Sequence, residues 1–307
     1  MAKTNSENEQ NFGSVLQYWL TFNEKRKKKS TMAKYRFLAE KHILPELGGV
    51  KMSELNEMTV NNFINEKLKT LSNGYVRTMA IIIKSALILA LNTETVKNFD
   101  PQKIAVPTAE KSKPQVLNFS EQKALENHIK NNIDAENFGI LLSLYTGLRL
   151  GEICALKWQN VNLNEGVISV NFSLVRVNEN GKWAWETGTP KTPASVREVP
   201  IIEKLLPLFE TVKNSSNSPF VVAKGDVPLN PRTLEERFEK AQRQAGISHR
   251  NFHTLRHTFA TNCVACGVDV KTLSEILGHT SVSTTMNLYV HTSFEMKKTQ
   301  LNKLNNI

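Results

Sequence analysis

Residues 98–120, NFDPQKIAVPTAEKSKPQVLNFS, divide the chain. Pro101, Pro107 and Pro114 each lack a backbone N–H, so neither a helix nor a central strand runs through this stretch. Lysines scattered between the prolines favour water over a core. Whatever lies on each side must fold around its own apolar centre. A length of 307 residues with 40% hydrophobic content supplies enough for two such centres. The linker proper is placed at 105–117, between a first domain at 12–104 and a second at 118–307.

The first side reads as all helix. SVLQYWLTF spaces Val15, Leu16, Trp19, Leu20 and Phe22 for one helical face. STMAKYRFLAEKHILPELG predicts a helix from Ser30 that Pro45 and Gly48 break. LNEMTVNNFINEKL and YVRTMAIIIKSALILALN come next, the last a buried core helix that carries Arg77 and Lys84. Residues 1–11 are polar and expected to be flexible. The first helix begins after roughly a dozen residues, so a further folded domain ahead of it is not expected.

The second side mixes patterns. Ser120 is placed as an N-cap with Glu121 in the first turn, and FGILLSLYTGLRLGEICALKW reads as one long helix. GVISVNFSLVRV alternates, WAWET returns antiparallel after NENGK, and SVREVPI is a third short strand. Helices then resume in LLPLFETVK, RTLEERFEKAQRQAG, HTLRHTFATNCVACG, KTLSEILGH and SVSTTMNLYVHTS. The expected fold is mainly α with a small antiparallel β-sheet: an all-α N-terminal domain and an α+β second domain.

The balance is basic, 39 Lys and Arg against 29 Asp and Glu, for a net charge of +10. That favours a polyanionic partner. The densest cluster, KRKKKS, places Arg26, Lys27, Lys28 and Lys29 together, with Lys34 and Arg77 as further phosphate candidates. No run is read as long enough to span a bilayer, and the polar start lacks a signal peptide's apolar stretch, so a cytoplasmic protein with no membrane partner is expected. The three cysteines, Cys154, Cys263 and Cys266, fit a reducing compartment and are read as core thiols.

The segment NFHTLRHTFATNC sets His253, Arg256 and His257 within five positions. His253 and His257 have the i, i+4 spacing of a helical zinc pair. A zinc hydrolase, however, wants a glutamate where Thr254 stands, and Arg256 would set a cation beside a dication. No metal site is read here. The phosphate reading fits better. His253 and Arg256 share one helix face at i, i+3, and YTGLRLGE offers a second arginine, Arg149. Guanidinium forks match phosphate oxygens, whose charge grows as a nucleophile attacks. His279 in ILGHTS can add a donor, and Tyr289 stands ten positions later.

Four motifs, TGLRLGE, PKTPASVREVP, HTLRHTFAT and LGHTSVSTTMNLYVH, occur in order. Through them the chain resembles the tyrosine recombinases, the phage- and transposon-type integrases and their Xer relatives. The first domain resembles that family's helical core-binding domain through STMAKYRFLAEKHILPELG. The resemblance implies a catalytic set of Arg149, Lys191, His253, Arg256, His279 and the nucleophile Tyr289, with Glu152 supporting the site. Lys191 lies in the turn between the second and third strands; Lys182 competes for its role. His257 is common in the motif but is read as structural, outside the catalytic set.

The same resemblance implies a chemistry and an assembly. Tyr289 attacks a phosphate of double-stranded DNA, keeps the 3′ end as a phosphotyrosine and releases a 5′-hydroxyl. His253 is the base candidate and Lys191 the acid. Exchanging one phosphodiester for another conserves bond energy, so no cofactor is expected. The expected assembly is a homotetramer on paired sites, a dimer or monomer off DNA, with an accessory DNA-bending or directionality factor as a further partner. The tail 290–307 would dock on a neighbouring subunit. A type IB topoisomerase and a non-catalytic DNA-binding regulator are the competing readings.

Overall fold

Asn11 opens the first helix by accepting a hydrogen bond from the Ser14 amide, which satisfies an otherwise orphaned donor. In the computed structural model, residues 10–92, 99–108, 114–179, 182–188 and 193–289 are described. They divide into two units, 1–112 with 176–184, and 113–175 with 185–307. The flexible-start expectation for residues 1–9, the Lys191 assignment and the docking tail 290–307 fall outside the described residues.

In the first unit, α1 (Phe12–Glu24) buries Phe12, Val15, Leu16, Trp19 and Leu20, one apolar face. Phe22, expected on that face, is exposed. The next helix does not end at Pro45. Instead α2 (Lys29–Leu38) passes through one π turn, Ala39–Ile43, into α3 (Leu44–Leu47). Pro45 sits in the first turn of α3, where a missing N–H is tolerated, and the π turn absorbs the irregularity before it. Asn56 caps α4 (Glu57–Leu68).

Helix α5 (Asn73–Asn92) corrects one expectation: it is long and apolar enough to cross a membrane by length and composition. Its Val76, Met79, Ile82, Ile83 and Leu87 nonetheless lie in one core cluster with Phe12, Trp19 and Phe63, as a buried core helix should. Phe99 and Ile104 join the same cluster, and the Arg77 guanidinium donates to the Pro107 carbonyl at 2.7 Å. The start of the proline-rich stretch is thus fastened to the first unit.

In the second unit the cap of α6 (Phe119–Lys130) is Asn118, not Ser120. Asn118 accepts from the Glu121 amide, and Glu121 reaches back to the Asn118 amide, a reciprocal capping box. The long apolar helix is split. After α7 (Ala135–Thr146), Gly147 takes φ 66°, and α8 (Leu150–Cys154) restarts beyond it. A left-handed cap ends a helix whatever the apolar pattern on either side.

The strands also divide differently from their sequence pattern. β2 (Val167–Val170) pairs antiparallel with β1 (Val161–Asn162) and β5 (Arg197–Pro200), in register Ile168 to Val199. β3 (Ser173–Glu179) pairs with β4 (Lys182–Gly188) in a separate sheet, so GVISVNFSLVRV serves two sheets. β6 (Ala223–Lys224) and β7 (Val227–Pro228) form a short third pair. The remaining helices of the second unit are α9 (Leu206–Asn214), α10 (Pro231–Gln244), α11 (His253–Ala265), α12 (Val270–Leu277) and α13 (Val282–Tyr289). Helices α7, α12 and α13 all pack on α11. Of the cysteines, Cys154 is a core thiol and Cys263 is half-buried, but Cys266 is exposed, against expectation.

Candidate active site

Three arginines converge on the C-terminal end of α12. Arg197 Nε donates to the carbonyl of Ile276 at 2.5 Å, Arg256 Nη2 to Leu277 at 2.7 Å and Arg149 Nη2 to Gly278 at 3.0 Å. The last carbonyls of a helix have no partner within it and form the negative end of its dipole, so they suit cations. Gly278 ends α12 in the left-handed conformation, which turns the chain toward His279.

Arg256 is 1% exposed, and its Nη1 donates to the carbonyl of Gly147, the cap of α7, at 2.5 Å. Two helix ends therefore fix this guanidinium. Burial first, and the Arg149 charge second, push its pKa down to about 9, which leaves it charged at neutral pH. Arg149 stands at the start of α8 with a third of its side chain in solvent.

Glu152 supports both Arg149 and Arg197. It accepts from Arg149 Nη1 at 2.8 Å and from the Arg149 amide at 2.9 Å. It also accepts from Arg197 Nη1 at 3.2 Å and Nη2 at 3.0 Å. Burial works to raise the Glu152 carboxyl, but the Arg197 hydrogen bonds and charge, aided by Arg149, hold it below the usual range. The sequence pattern does not single out Arg197: it stands inside SVREVP, and only its strand register reveals that it faces the site.

The histidines are neutral at pH 7. Burial, followed by His257 and the charges of Arg256 and Arg149, lowers His253 to about 4. Burial, followed by the Arg256 and Arg149 charges, lowers His279 to about 4 as well. His279 Nδ1 lies 2.8 Å from the Thr285 hydroxyl on α13. The hydroxyl of Tyr289, buried in the small cluster with Leu273 and Leu277, lies 2.6 Å from His257 Nδ1. Burial raises the Tyr289 phenol, while Arg256 and Arg149 act against that rise. Thus Arg149, Glu152, His253, Arg256, His279 and Tyr289 all belong to one cluster, with His257 inside it rather than apart.

Tyr145, the other buried tyrosine of this unit, lies in the large core cluster, and burial first drives its hydroxyl far above the phenolic range. In the first unit, the Arg26 guanidinium lies 3.7 Å from the Phe22 ring centre, and the Lys34 ammonium 5.7 Å from that of Tyr75. Arg26, Lys27, Lys28, Lys29 and Lys34 are exposed, whereas Arg77 is half-buried and turned to the Pro107 carbonyl. No group of three or more His, Cys, Asp or Glu placed to hold a metal ion occurs among the described residues.

Known proteins share this architecture. The phage integrase family model matches residues 110–296, and the phage integrase N-terminal SAM-like domain matches residues 11–68. A XerC-like tyrosine recombinase of Caldanaerobacter subterraneus subsp. tengcongensis is 29% identical, over 96% of this chain and 83% of its own length. The Tn1549 transposon integrase, solved with transposon right-end DNA, superposes with a TM-score of 0.78 at 22% identity, covering 95% of this chain and 99% of that one. A λ integrase tetramer bound to a Holliday junction gives a TM-score of 0.71 at 17% identity, covering 93% and 79%. The match across the second unit, joined by that of the N-terminal domain, shows that the chain belongs to the phage integrase family of tyrosine recombinases.

Proposed function

We propose that the cluster around α11 is the site at which this recombinase cuts and rejoins double-stranded DNA, with Tyr289 as nucleophile. The observation that carries this is that Tyr289 packs in one small cluster with Leu277, whose carbonyl receives Arg256, one residue before the Gly278 carbonyl that receives Arg149. A free phenol has a pKa near ~10, so it needs cations or a proton acceptor to attack at neutral pH. The two guanidinium groups balance the charge that grows on the non-bridging phosphate oxygens, the work that metal ions do in many nucleases. Neutral His253 and His279 add hydrogen bonds to the same oxygens. Tyr289 keeps the 3′ phosphate, and Lys191 gives a proton to the departing 5′ oxygen.

The first unit supplies phosphate contacts through Arg26, Lys27, Lys28, Lys29 and Lys34, with Arg77 holding the backbone at Pro107. The λ integrase solved as a tetramer on a Holliday junction supports a homotetramer on paired sites.

The test begins with Tyr289→Phe, which removes one hydroxyl and leaves the cations in place. This variant should select a binding site from random-sequence duplexes. On a nicked duplex of that site the wild type should form an adduct stable in denaturant, and Tyr289→Phe should bind equally without forming one. Two such sites in one plasmid should recombine. Relaxation without exchange would favour a topoisomerase, and binding without adduct by the wild type a regulator.

A further inference from the structure

We propose that His257 is a catalytic residue: its Nδ1 takes the proton of the Tyr289 hydroxyl as that oxygen attacks phosphorus. This rests on the reading of Tyr289 as nucleophile. It assigns the proton acceptor to the second histidine of HTLRH rather than the first.

The geometry carries the assignment. His257 Nδ1 and the Tyr289 hydroxyl are 2.6 Å apart, the length of a strong hydrogen bond, and within the reach a general base requires. The two rings meet at 50° with centres 5.6 Å apart. The His253 ring packs edge-on against His257, at 86° and 4.6 Å. The contact is specified by fold as well as by local sequence, because α11 and α13 are joined through α12, and both pack on it.

Electrostatics agrees with the geometry. His257 is lowered from its ordinary value by burial first and by the Arg256 charge second, so at neutral pH it has a lone pair to offer. Around it stand His253 and Arg256 on its own helix and Tyr289 on α13. The ionisable residues of α7 and α12, the other helices packed on α11, are Glu136, Tyr145, Lys271 and Glu275. Arg256 also explains why the proton need not return at once, since it stabilises the phenolate that forms next to it.

The step balances. The Tyr289 O–H bond breaks and its proton passes to His257, giving an imidazolium. The phenolate forms the new O–P bond, the P–O5′ bond breaks, and the 5′ oxygen takes its proton from Lys191. On rejoining, an incoming 5′-hydroxyl returns its proton to Lys191 and attacks the phosphotyrosine, the Tyr289 O–P bond breaks, and Tyr289 leaves with the proton held on His257.

The test compares His257→Ala and His257→Asn with the wild type, in single-turnover cleavage of the nicked selected duplex across pH 5 to 8. Asn keeps an acceptor near the place of Nδ1 but takes no proton, so a purely positioning role would be restored by it. Both variants should bind DNA as the wild type does and cleave slower by about 10²-fold or more, the scale of a lost general base. Wild-type cleavage should fall at the acid end, as pH drops through the lowered His257 value, and that fall should be absent in His257→Asn. Recovery of rate by Asn, cleavage by either variant within threefold of the wild type or faster, or a persisting acid limb in His257→Asn would overturn the proposal. The Tyr289 adduct in the wild type reads out separately, so the nucleophile assignment stands or falls independently of His257.

Discussion

Arg197 and Glu152 meet fork to fork, through Nη1 to Oε1 at 3.2 Å and Nη2 to Oε2 at 3.0 Å, both side chains almost wholly buried. The same Glu152 carboxylate holds Arg149, so Arg197 reaches Arg149 through one shared anion.

Removing Arg197 leaves that buried carboxylate short of charge, and frees the Ile276 and Ser195 carbonyls that Arg197 also holds. Arg197→Ala should therefore lose about 3 kcal/mol or more of stability, as when one partner of a buried ion pair is deleted. Arg197→Lys, which keeps charge without the fork, should recover only part of it. Urea denaturation measures both. A loss within ~0.5 kcal/mol for the alanine variant, the range of ordinary surface changes, would mean the pair is not a structural support.

Gly147 serves two ends at once, since its carbonyl receives Arg256 and its φ of 66° ends α7. A Cβ there would stand 2.6 Å from the Phe259 ring and 2.8 Å from a Leu277 methyl. Gly147→Ala combines a strained backbone with a crowded core, so it should lose more than about 1 kcal/mol. It should also slow adduct formation by shifting Arg256. Thermal unfolding and single-turnover cleavage, measured together, check this.

His253 and His279 are both lowered to about 4 in the folded chain. Between that value and the ordinary 6.5 the unfolded chain binds more protons, so stability must fall as pH drops through this window. The Glu152 carboxyl, held low, loses its contribution as pH falls from its ordinary 4.5 through its lowered value, beneath a scan from pH 7 to pH 5. The melting temperature should drop between pH 7 and pH 5, and the double variant His253→Asn/His279→Asn should flatten that slope. An unchanged slope would place the acid sensitivity elsewhere.

Much of this site is legible in the sequence because its residues sit at helix ends and in short motifs. Arg149 follows the Gly147 cap, His279 follows the Gly278 cap, and HTLRH lies on one helix. Arg197 is not legible in this way, because its role arises from side-chain hydrogen bonds that reach across 79 positions to Ile276 and 45 to Glu152. His257 reads as structural because the resemblance leaves it outside the catalytic set, and no local pattern shows that α13 brings Tyr289 to it. The split of GVISVNFSLVRV between two sheets is similarly invisible, since alternation continues unbroken across Asn171 and Phe172 while the pairing partner changes. Ser120 hides the true cap of α6, although the N-x-x-E that begins at Asn118 is itself a capping-box pattern.

Arg149→Lys keeps the charge and loses the planar fork that faces Glu152 and the Gly278 carbonyl. Its cleavage rate should fall by roughly 10²-fold or more, the scale of one lost transition-state donor. Excess chelator should leave wild-type cleavage unchanged, because the arginines carry the charge compensation. An effect of the lysine variant below about threefold would put Arg149 outside the chemistry. Complete loss with chelator, restored by a divalent cation, would contradict the role given to the arginines.

The proposed nucleophile is the hydroxyl held beside His257. The direct measurement is peptide mapping by mass spectrometry of the denatured adduct formed on the nicked selected duplex, after nuclease digestion leaves a nucleotide tag. The tag should be found on Tyr289 alone, in the peptide that carries STTMNLYVH. A tag on Tyr145, or on any side chain other than Tyr289, would contradict the account.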